Sequence, residues 1–525
     1  MPLPTSDQPW PPQQLAPVYA KLTEWDAWYC GDADVLSSVY GGRYGTDPGG
    51  TGFYASQQGG IGRRVVNAVS RWFWGKPPAA GEQRTKLHVP LAADIARTSA
   101  SLLFSEPPKL RSDDTTTQAR LDELAGDDLH ATLMEAAEQA AAGGGVYLRV
   151  CWDRDLYPAP WSDAVPADMA VPEWQWGRLN AVTFWRVVAS DGSTVWRHLE
   201  RHEPGWIMHG LYKGDRDKLG RAVPLDDQPA TAPLAARVNA AGGIPTGIKQ
   251  LTATYVPNIR PNRLWKGIPA AARLGRSDYA GVEPLMDSLD ESWSSWMRDL
   301  RNGRGRVIVP NSMLTSNGAG KGVSWEAERE IWTGLDMLPR PGDTGKQFDV
   351  VQFAIRVTEH RDTCEALFEQ IVSSAGYSAA SFGSKGDVAM TATEVVARNR
   401  QSFTTRDTKV VYWRPALVDH VETLLAIDKV VYGSGVQPGV AVEFADSVSE
   451  DPQTIATTAN LLRTAQAAST DTLVRLVHPE WPDEQVQAEV ARITTEQQLG
   501  PLSDPTMHGA GGHDLLPPGG DPAAA

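Results

Sequence analysis

The sequence predicts a mainly helical α+β protein, and three observations lead there. Between positions 278 and 431 apolar residues recur at three- and four-residue steps over long stretches, the period of amphipathic helices. Between 182 and 212 they fall in short alternating runs with a turn at Asp191-Gly192, which marks antiparallel hairpins. The 525 residues exceed one compact core, since a domain takes roughly 150 residues, so about three or four domains are expected.

Taken in order, residues 1–17 are rich in proline and read as an extended arm, followed by a short helix around Leu15–Cys30. Residues 41–62 carry many glycines and no apolar period, hence a long loop. Lys86–Phe104 places Leu87, Leu91, Ile95, Leu102 and Leu103 at helical spacing, and Glu106-Pro107-Pro108 stops it. Ala119–Ala142 reads as one helix ended by Gly143-Gly144-Gly145, with a strand over Val146–Trp152. Strands are expected at Val182–Val188, Thr194–His202 and Trp206–Tyr212, then a loop-rich stretch over 213–250.

From Tyr279 the apolar positions Val282, Leu285, Met286, Leu289, Trp293, Trp296, Met297 and Leu300 describe one helix, closed by Asn302-Gly303. Short strands at Val307–Val309 and Phe348–Phe353 bracket a small mixed insert. A further helix runs over Thr358–Ala375 with Leu367, Phe368, Ile371 and Val372 on one side. Gly376–Met390 is a polar loop. The next helix starts at the capping box Thr391-Ala392-Thr393-Glu394. It continues to about Val431, with a kink expected at Pro415. Residues 451–498 are again helical, and the Gly/Pro/Ala-rich end beyond is expected to be disordered.

Composition narrows the function classes. Hydrophobic content of 41% and charged content of 22% are ordinary for a folded soluble protein. No apolar run approaches the length of a membrane span. Met1-Pro2-Leu3-Pro4 does not open a signal peptide, so a cytosolic origin is expected. Cys30, Cys151 and Cys364 are far apart and fit no zinc or redox spacing, so they read as free thiols. The net charge of −15 argues against a protein that grips nucleic acid, whose domains are usually basic. It is compatible with one that lets DNA slide past, because an acidic wall repels phosphates and removes the counterion-release gain.

Enzyme motifs fail on inspection. His198 and His202 flank Glu200, but a zinc helix needs the glutamate directly after the first histidine, and this stretch alternates like a strand. Gly342-Asp343-Thr344-Gly345-Lys346-Gln347 is two residues short of a phosphate loop, and Gln347 replaces the magnesium-binding hydroxyl; Gly318–Gly322 fails similarly. No G-x-S-x-G elbow is present. No catalytic residue, metal site or cofactor is assigned. The rival readings are an acidic hydrolase or transferase with a scattered site, and a non-viral helical scaffold.

Several phrases, in order, resemble the portal proteins of long-tailed bacteriophages, particularly those infecting actinobacteria. They are Lys86-Leu87-His88-Val89-Pro90-Leu91-Ala92-Ala93-Asp94-Ile95-Ala96, Leu102-Leu103-Phe104-Ser105-Glu106-Pro107-Pro108 and His198-Leu199-Glu200-Arg201-His202. With them go His209-Gly210-Leu211-Tyr212-Lys213-Gly214, Arg260-Pro261-Asn262, Thr391-Ala392-Thr393-Glu394-Val395 and Leu476-Val477-His478-Pro479-Glu480-Trp481. The resemblance covers most of residues 20–498. It implies a portal fold assembling into a ring, typically a dodecamer, with a central channel for double-stranded DNA at one capsid vertex.

On that resemblance, 1–277 is an N-terminal arm and wing, 278–302 the first stem helix, 303–355 the clip and 356–375 the second stem helix. The tunnel loop is 376–390, the long kinked wing helix 391–431, the crown 432–498 and a disordered tail 499–525. The implied partners are the terminase large subunit, the head–tail adaptor, the major capsid and scaffold proteins, and DNA bound without sequence preference. The implied location is the virion, after assembly in the host bacterial cytoplasm, with no membrane.

Residue chemistry adds candidates. Glu283, Asp287, Asp290 and Glu291 on the first stem helix, and Glu359, Asp362, Glu365 and Glu369 on the second, are candidate channel-lining acids; the bland alternative is solvated helix faces. In the loop, Lys385 stands beside Ser381, Ser384 and Asp387 as a candidate light contact to the DNA backbone, or as a solvated lysine in a turn. Arg398, Arg400, Arg406 and Lys409 either pair with acids of a neighbouring subunit or form an exposed face. Many of the 19 tryptophans fall in the wing, where large aromatics suit core and subunit contacts.

Overall fold

The computed structural model describes residues 3–40, 73–74, 86–239, 242–302, 306–308, 315–316, 323–324, 349–351, 355–383, 392–444, 452–478, 481 and 483–498. Helix and strand are mixed, with about half of the described residues helical. The chain divides into one unit of Met1–Val388 with Ala397–Ser447, and a second of Ala389–Val396 with Val448–Ala525. The expected loop at 41–62 and the tail from 499 lie outside the described residues.

In the first unit, α1 (Ala16–Cys30) begins with Pro17 in its first turn and ends on Gly31 in the left-handed region, φ 67°. α2 (Ala33–Tyr40) follows it. α3 (Leu91–Phe104) starts only after Pro90, so Lys86–Val89 stays extended. The single helix expected over Ala119–Ala142 is instead two, α4 (Thr115–Leu124) and α5 (Asp127–Gly143). Gly126 separates them with extended backbone, φ −65° and ψ −176°; glycine is among the poorest residues for a helix interior and serves readily as an N-cap. Asp114 caps α4, its side chain accepting from Thr117 N at 2.8 Å.

Gly144, φ 83°, turns the chain from α5 into β2 (Gly145–Cys151). β2 pairs antiparallel with β3 (Trp161–Pro166) and with β10 (Ala253–Pro257) in one three-stranded sheet. The expected hairpins are present as β5 (Arg178–Asp191), β6 (Thr194–Glu203) and β7 (Trp206–Gly214), and a strand not expected from the sequence, β4 (Ala170–Gln175), precedes them; each is antiparallel to the next. Short strands β8 (Arg221–Val223) and β9 (Gly243–Pro245) both pair with β7 to complete a six-stranded sheet. β1 (Lys109–Ser112) pairs with the distant β15 (Val440–Glu443).

The two long helices of the middle region are α7 (Glu283–Asn302) and α8 (Val357–Ala375); a one-turn helix, α6 (Ala232–Ala235), precedes them. Between α7 and α8, β11 (Arg306–Ile308) pairs antiparallel with β14 (Asp349–Val351), and β12 (Thr315–Ser316) with β13 (Val323–Ser324). α9 (Ala392–Ile427) is 36 residues long with Pro415 inside it, and runs into a π-turn at Asp428–Tyr432. One core packs Trp25, Trp28, Trp74, Ile95, Tyr279 and Ile371 together. A second packs Phe104, Leu121, Leu133, Val146, Trp413 and Val442, so that α3, α4, α5, α9 and β15 share an interior. The second unit holds α10 (Pro452–Thr464), α11 (Thr470–Val477) and α12 (Asp483–Gln498). Arg475 ties α11 to α12 by pairing with Asp471 at 3.1 Å and Asp483 at 2.6 Å.

Candidate channel wall

α7 and α8 form a pair joined at the insert end. Asp299 near the end of α7 accepts from Arg356 at 3.1 Å, and His360 Nε2 lies 2.9 Å from it. The hydrogen bonds from His360 and then Arg356 hold the Asp299 carboxyl below its ordinary range. Trp296 stacks on His360 with ring planes 6° apart, which fixes the same corner.

α8 has one buried side, carrying Cys364, Ile371, Val372 and Ala375. Glu359, Asp362, Glu365 and Glu369 follow one another at steps of three, three and four residues. At about 100° per residue this spacing draws a stripe on the side away from the buried one. All four are exposed. Arg361 lies beside the stripe and pairs with Asp362 at 3.3 Å.

The candidates on α7 are placed differently from those on α8. Glu283, Asp287 and Asp290 are buried, and only Glu291 of the four candidates is exposed. Glu283 accepts from Trp25 Nε1 at 2.9 Å, from Lys21 Nζ at 2.8 Å and from Gly281 N at 2.6 Å. Asp287 accepts from the backbone N–H groups of Phe73 at 2.9 Å and Trp74 at 3.3 Å, and burial pushes its carboxyl up. Asp290 takes Val89 N at 2.8 Å and Trp74 Nε1 at 3.0 Å, with His88 Nδ1 at 2.8 Å. Ser294 continues the row by accepting from Leu87 N at 2.9 Å.

These four side chains form a clasp. The 283–287–290–294 spacing puts them on one face of α7: Asp290 and Ser294 satisfy backbone N–H groups of the extended Leu87–Val89, Asp287 those of Phe73 and Trp74, and Glu283 holds Trp25 and Lys21. Lys86 closes it from the other side, donating to Phe73 O at 2.7 Å and Trp74 O at 2.8 Å while lying over both rings. The spacing was visible in the sequence; the partners, some two hundred residues upstream, carried no signal.

Where α7, α8 and α9 converge, Asp278 forms a buried junction. Its Oδ2 accepts from Lys409 Nζ at 2.5 Å and Tyr377 OH at 2.7 Å, and its Oδ1 from Asn258 Nδ2 at 2.7 Å. Lys409 also donates to Ser99 Oγ at 2.5 Å and lies over the Tyr377 ring. Burial pulls the Lys409 ammonium below the ordinary lysine range, with Asp278 opposing that shift. Two of the four cations of the basic cluster thus lie inside. Lys409 and Arg406 are both buried, and Arg406 donates to Leu102 O at 2.9 Å and pairs with Asp407 at 3.2 Å. Arg400 is exposed, and the Arg398 side chain lies outside the described residues.

The loop after α8 begins as ordered structure. Gly376 caps the helix at φ 95°, and Ala379–Phe382 is a 3-10 turn. Ser381 is fastened to α9, its Oγ donating to Asn399 Oδ1 at 2.8 Å and lying 2.8 Å from Ser402 Oγ. Ser384, Lys385, Asp387 and the capping Thr391 lie outside the described residues.

The histidine pair of β6, in the six-stranded sheet, is accounted for structurally. His202 lies 2.6 Å from Thr252 Oγ1 and 2.8 Å from Glu200, and His198 lies 3.2 Å from His209. Burial holds the His198 imidazole down at about 4. Among the described residues no group of three or more His, Cys, Asp or Glu is arranged to hold a metal ion. No helix among them is long and apolar enough to cross a membrane.

Residues 241–499 match the family model "Phage portal protein, SPP1 Gp6-like". That match supports a phage portal protein, and the matched family is a structural one rather than an enzyme family. It takes in α7–α12, the junction at Asp278 and the acidic stripe of α8, whereas the clasp partners Lys21, Trp25, Phe73, Trp74 and Lys86–Val89 precede it. No curated protein matches the chain. Among solved structures the chain is similar to one titled "Neck of native GTA particle computed with C12 symmetry", at 13% identity and a TM-score of 0.37. That likeness covers 82% of this chain and 93% of the other. It is also similar to "Neck of empty GTA particle computed with C6 symmetry", at 13% identity and a TM-score of 0.36, covering 79% and 93%.

Proposed function

We propose that this chain is the portal subunit of a long-tailed phage of the actinobacteriophage type, and that copies of it close into a ring, typically a dodecamer, around a DNA channel. The observation that carries the reading is the order of α7, insert, α8, turn and α9 within the portal-matched segment, together with the exposed carboxylate stripe of α8. In this reading α8 presents Glu359, Asp362, Glu365 and Glu369 to the channel, with Glu291 of α7 nearby. Carboxylates repel the phosphate backbone and offer no counterion-release gain, so DNA slides without adhering. The wall is passive, and the motor is a separate protein.

The insert between α7 and α8 is the clip that meets the terminase large subunit during packaging and the head–tail adaptor afterwards. Major capsid and scaffold proteins contact the ring at the capsid vertex, in the virion, after assembly in the host cytoplasm. Lys385 lightly touches DNA from the tunnel loop.

Electron microscopy of the purified chain tests the ring. Particles with an axial hole are expected, and monodisperse monomers with no such particles would count against the reading. Reversing the stripe with E359K/D362K/E365K/E369K is expected to slow packaging and make DNA adhere in a salt-sensitive way. Unchanged packaging by that variant would remove α8 from the channel wall. For Lys385, normal DNA length and rate with K385E would exclude the proposed contact.

A further inference from the structure

Residues 259–277 contain Arg260, Arg263, Lys266, Arg273 and Arg276 and no acid, in a chain whose net charge is −15. Neither the channel nor the junction uses them as charges at the surface. The segment is a built loop. Its ends are bridged by Arg276 N donating to Ile259 O at 3.0 Å. Across its middle, the buried Asn262 donates to Gly275 O at 2.9 Å and accepts from Leu264 N at 3.0 Å. Trp265, Ala271 and Leu274 anchor it in the core, Trp265 packing on Trp25. On its outside stand Arg263, Leu264, Lys266 and Arg273, all exposed, with Leu264 at 56%. None of the three cations has an ion-pair partner among the described residues.

Beside the loop stands the tip of the β4–β5 hairpin. The Arg273 guanidinium lies against Gly177, in the space a β-carbon there would occupy. The other tip residue is Trp176, 96% exposed and at φ 50°. A two-residue hairpin turn with both residues at positive φ prefers Asn-Gly, because only residues of that kind adopt the left-handed region cheaply. A tryptophan there is both strained and hydrated, two costs with no return inside this chain.

We propose that this loop, with Trp176 at its edge, is the surface by which one copy of the chain docks on the acidic exterior of a second copy. The inference rests on the ring reading above. An exposed Trp set beside arginines is the composition of protein-interface anchors, whereas a phosphate backbone has no use for apolar anchors. The chain is itself the acidic partner, since its net charge outside this loop is more negative than −15. Copies so charged repel one another in a ring unless each brings a basic surface to its neighbour's acids. A contact between unlike surfaces is the head-to-tail kind that closes rings. The loop's anchored backbone lowers the ordering cost of that contact.

The test compares R263E/K266E/R273E and W176N with the unaltered chain by native mass spectrometry and electron microscopy, with circular dichroism and thermal melting to follow the fold. The charge reversal is expected to weaken assembly about 100-fold or more while the monomer melts as before. W176N, which suits the turn better, is expected to melt at the same or a higher temperature and still assemble less well. Carbodiimide coupling of rings mixed from isotope-labelled and unlabelled chains is expected to join Lys266 to a carboxylate of the other copy. Unaltered chain forming rings while both variants assemble normally would overturn the docking surface and leave the ring reading standing. Normal rings from the charge-reversed variant with loss of DNA binding would overturn it in favour of a phosphate-binding loop. Absence of rings from the unaltered chain would remove both readings together.

Discussion

Replacing Lys409 with methionine probes the junction that joins α7, α8 and α9. Methionine fills the space of the methylene stem but removes the ammonium that reaches Asp278 and Ser99. Removing one member of a buried ion pair costs about 3–5 kcal/mol, mostly because the other charge is left uncompensated. Asp278 keeps Tyr377 OH and Asn258 Nδ2 as donors, so K409M is expected at the low end, about 3 kcal/mol. D278N leaves the Lys409 ammonium buried with Ser99 and a weak amide acceptor, and is expected near about 5 kcal/mol. The double variant removes both charges and is expected to lose less than the sum, by about 1–3 kcal/mol. Urea unfolding followed by tryptophan fluorescence reports it directly, because Trp413 lies one turn along α9 and is buried against Phe104 at 5.0 Å. A cost under about 1 kcal/mol for K409M, or strict additivity in the double variant, would refute the junction as a coupled unit.

Acid should destabilise the first unit through its buried histidines. Burial depresses His198 and His420 to about 4, so between the unfolded value near 6.5 and about 4 the unfolded chain binds the protons. Stability is therefore full above about pH 6.5 and falls as pH drops toward about 4, by up to about 3 kcal/mol per histidine. His420 has Ser162 Oγ at 2.8 Å on one nitrogen and no partner among the described residues on the other. Urea midpoints across this range should flatten in H420L, and an unchanged slope would show that His420 does not titrate with unfolding. In the clasp, D290A should cost about 3–5 kcal/mol and expose the Val89 amide to hydrogen exchange; retained protection there would mean the segment holds without Asp290. At Gly144, an added β-carbon meets the backbone of Gly275 and Arg276 at 2.9 Å with φ 83°, so G144A should lose more than about 1 kcal/mol in the same unfolding assay.

Much of the fold was legible because its signals are local. The hairpins from Val182 to Tyr212 lie where period-two alternation and Asp191-Gly192 placed them, and the long helix runs to the end expected for it, through Pro415. The split at Gly126 was legible in kind, since a glycine inside a helical pattern marks a weak point, but its use as a cap depended on how α4 and α5 pack. The buried charges were not legible. The acids at 283, 287 and 290 and the cations at 406 and 409 looked like solvated or shared faces, because periodicity reports where polar residues lie and not what they meet.

What the sequence determined by itself, then, is the long helices and the main hairpins, their order, and the portal resemblance that the family match over 241–499 supports. Periods of 3.6 and two residues and turn chemistry act over a few neighbours, so they survive without a fold around them. Only the tertiary structure decided which charges are structural. Asp278 meets Lys409 across 131 residues, and Asp290 meets Val89 across 201. A buried carboxylate and an exposed one read identically in the chain, and differ only once packing removes water from one of them and supplies it with donors.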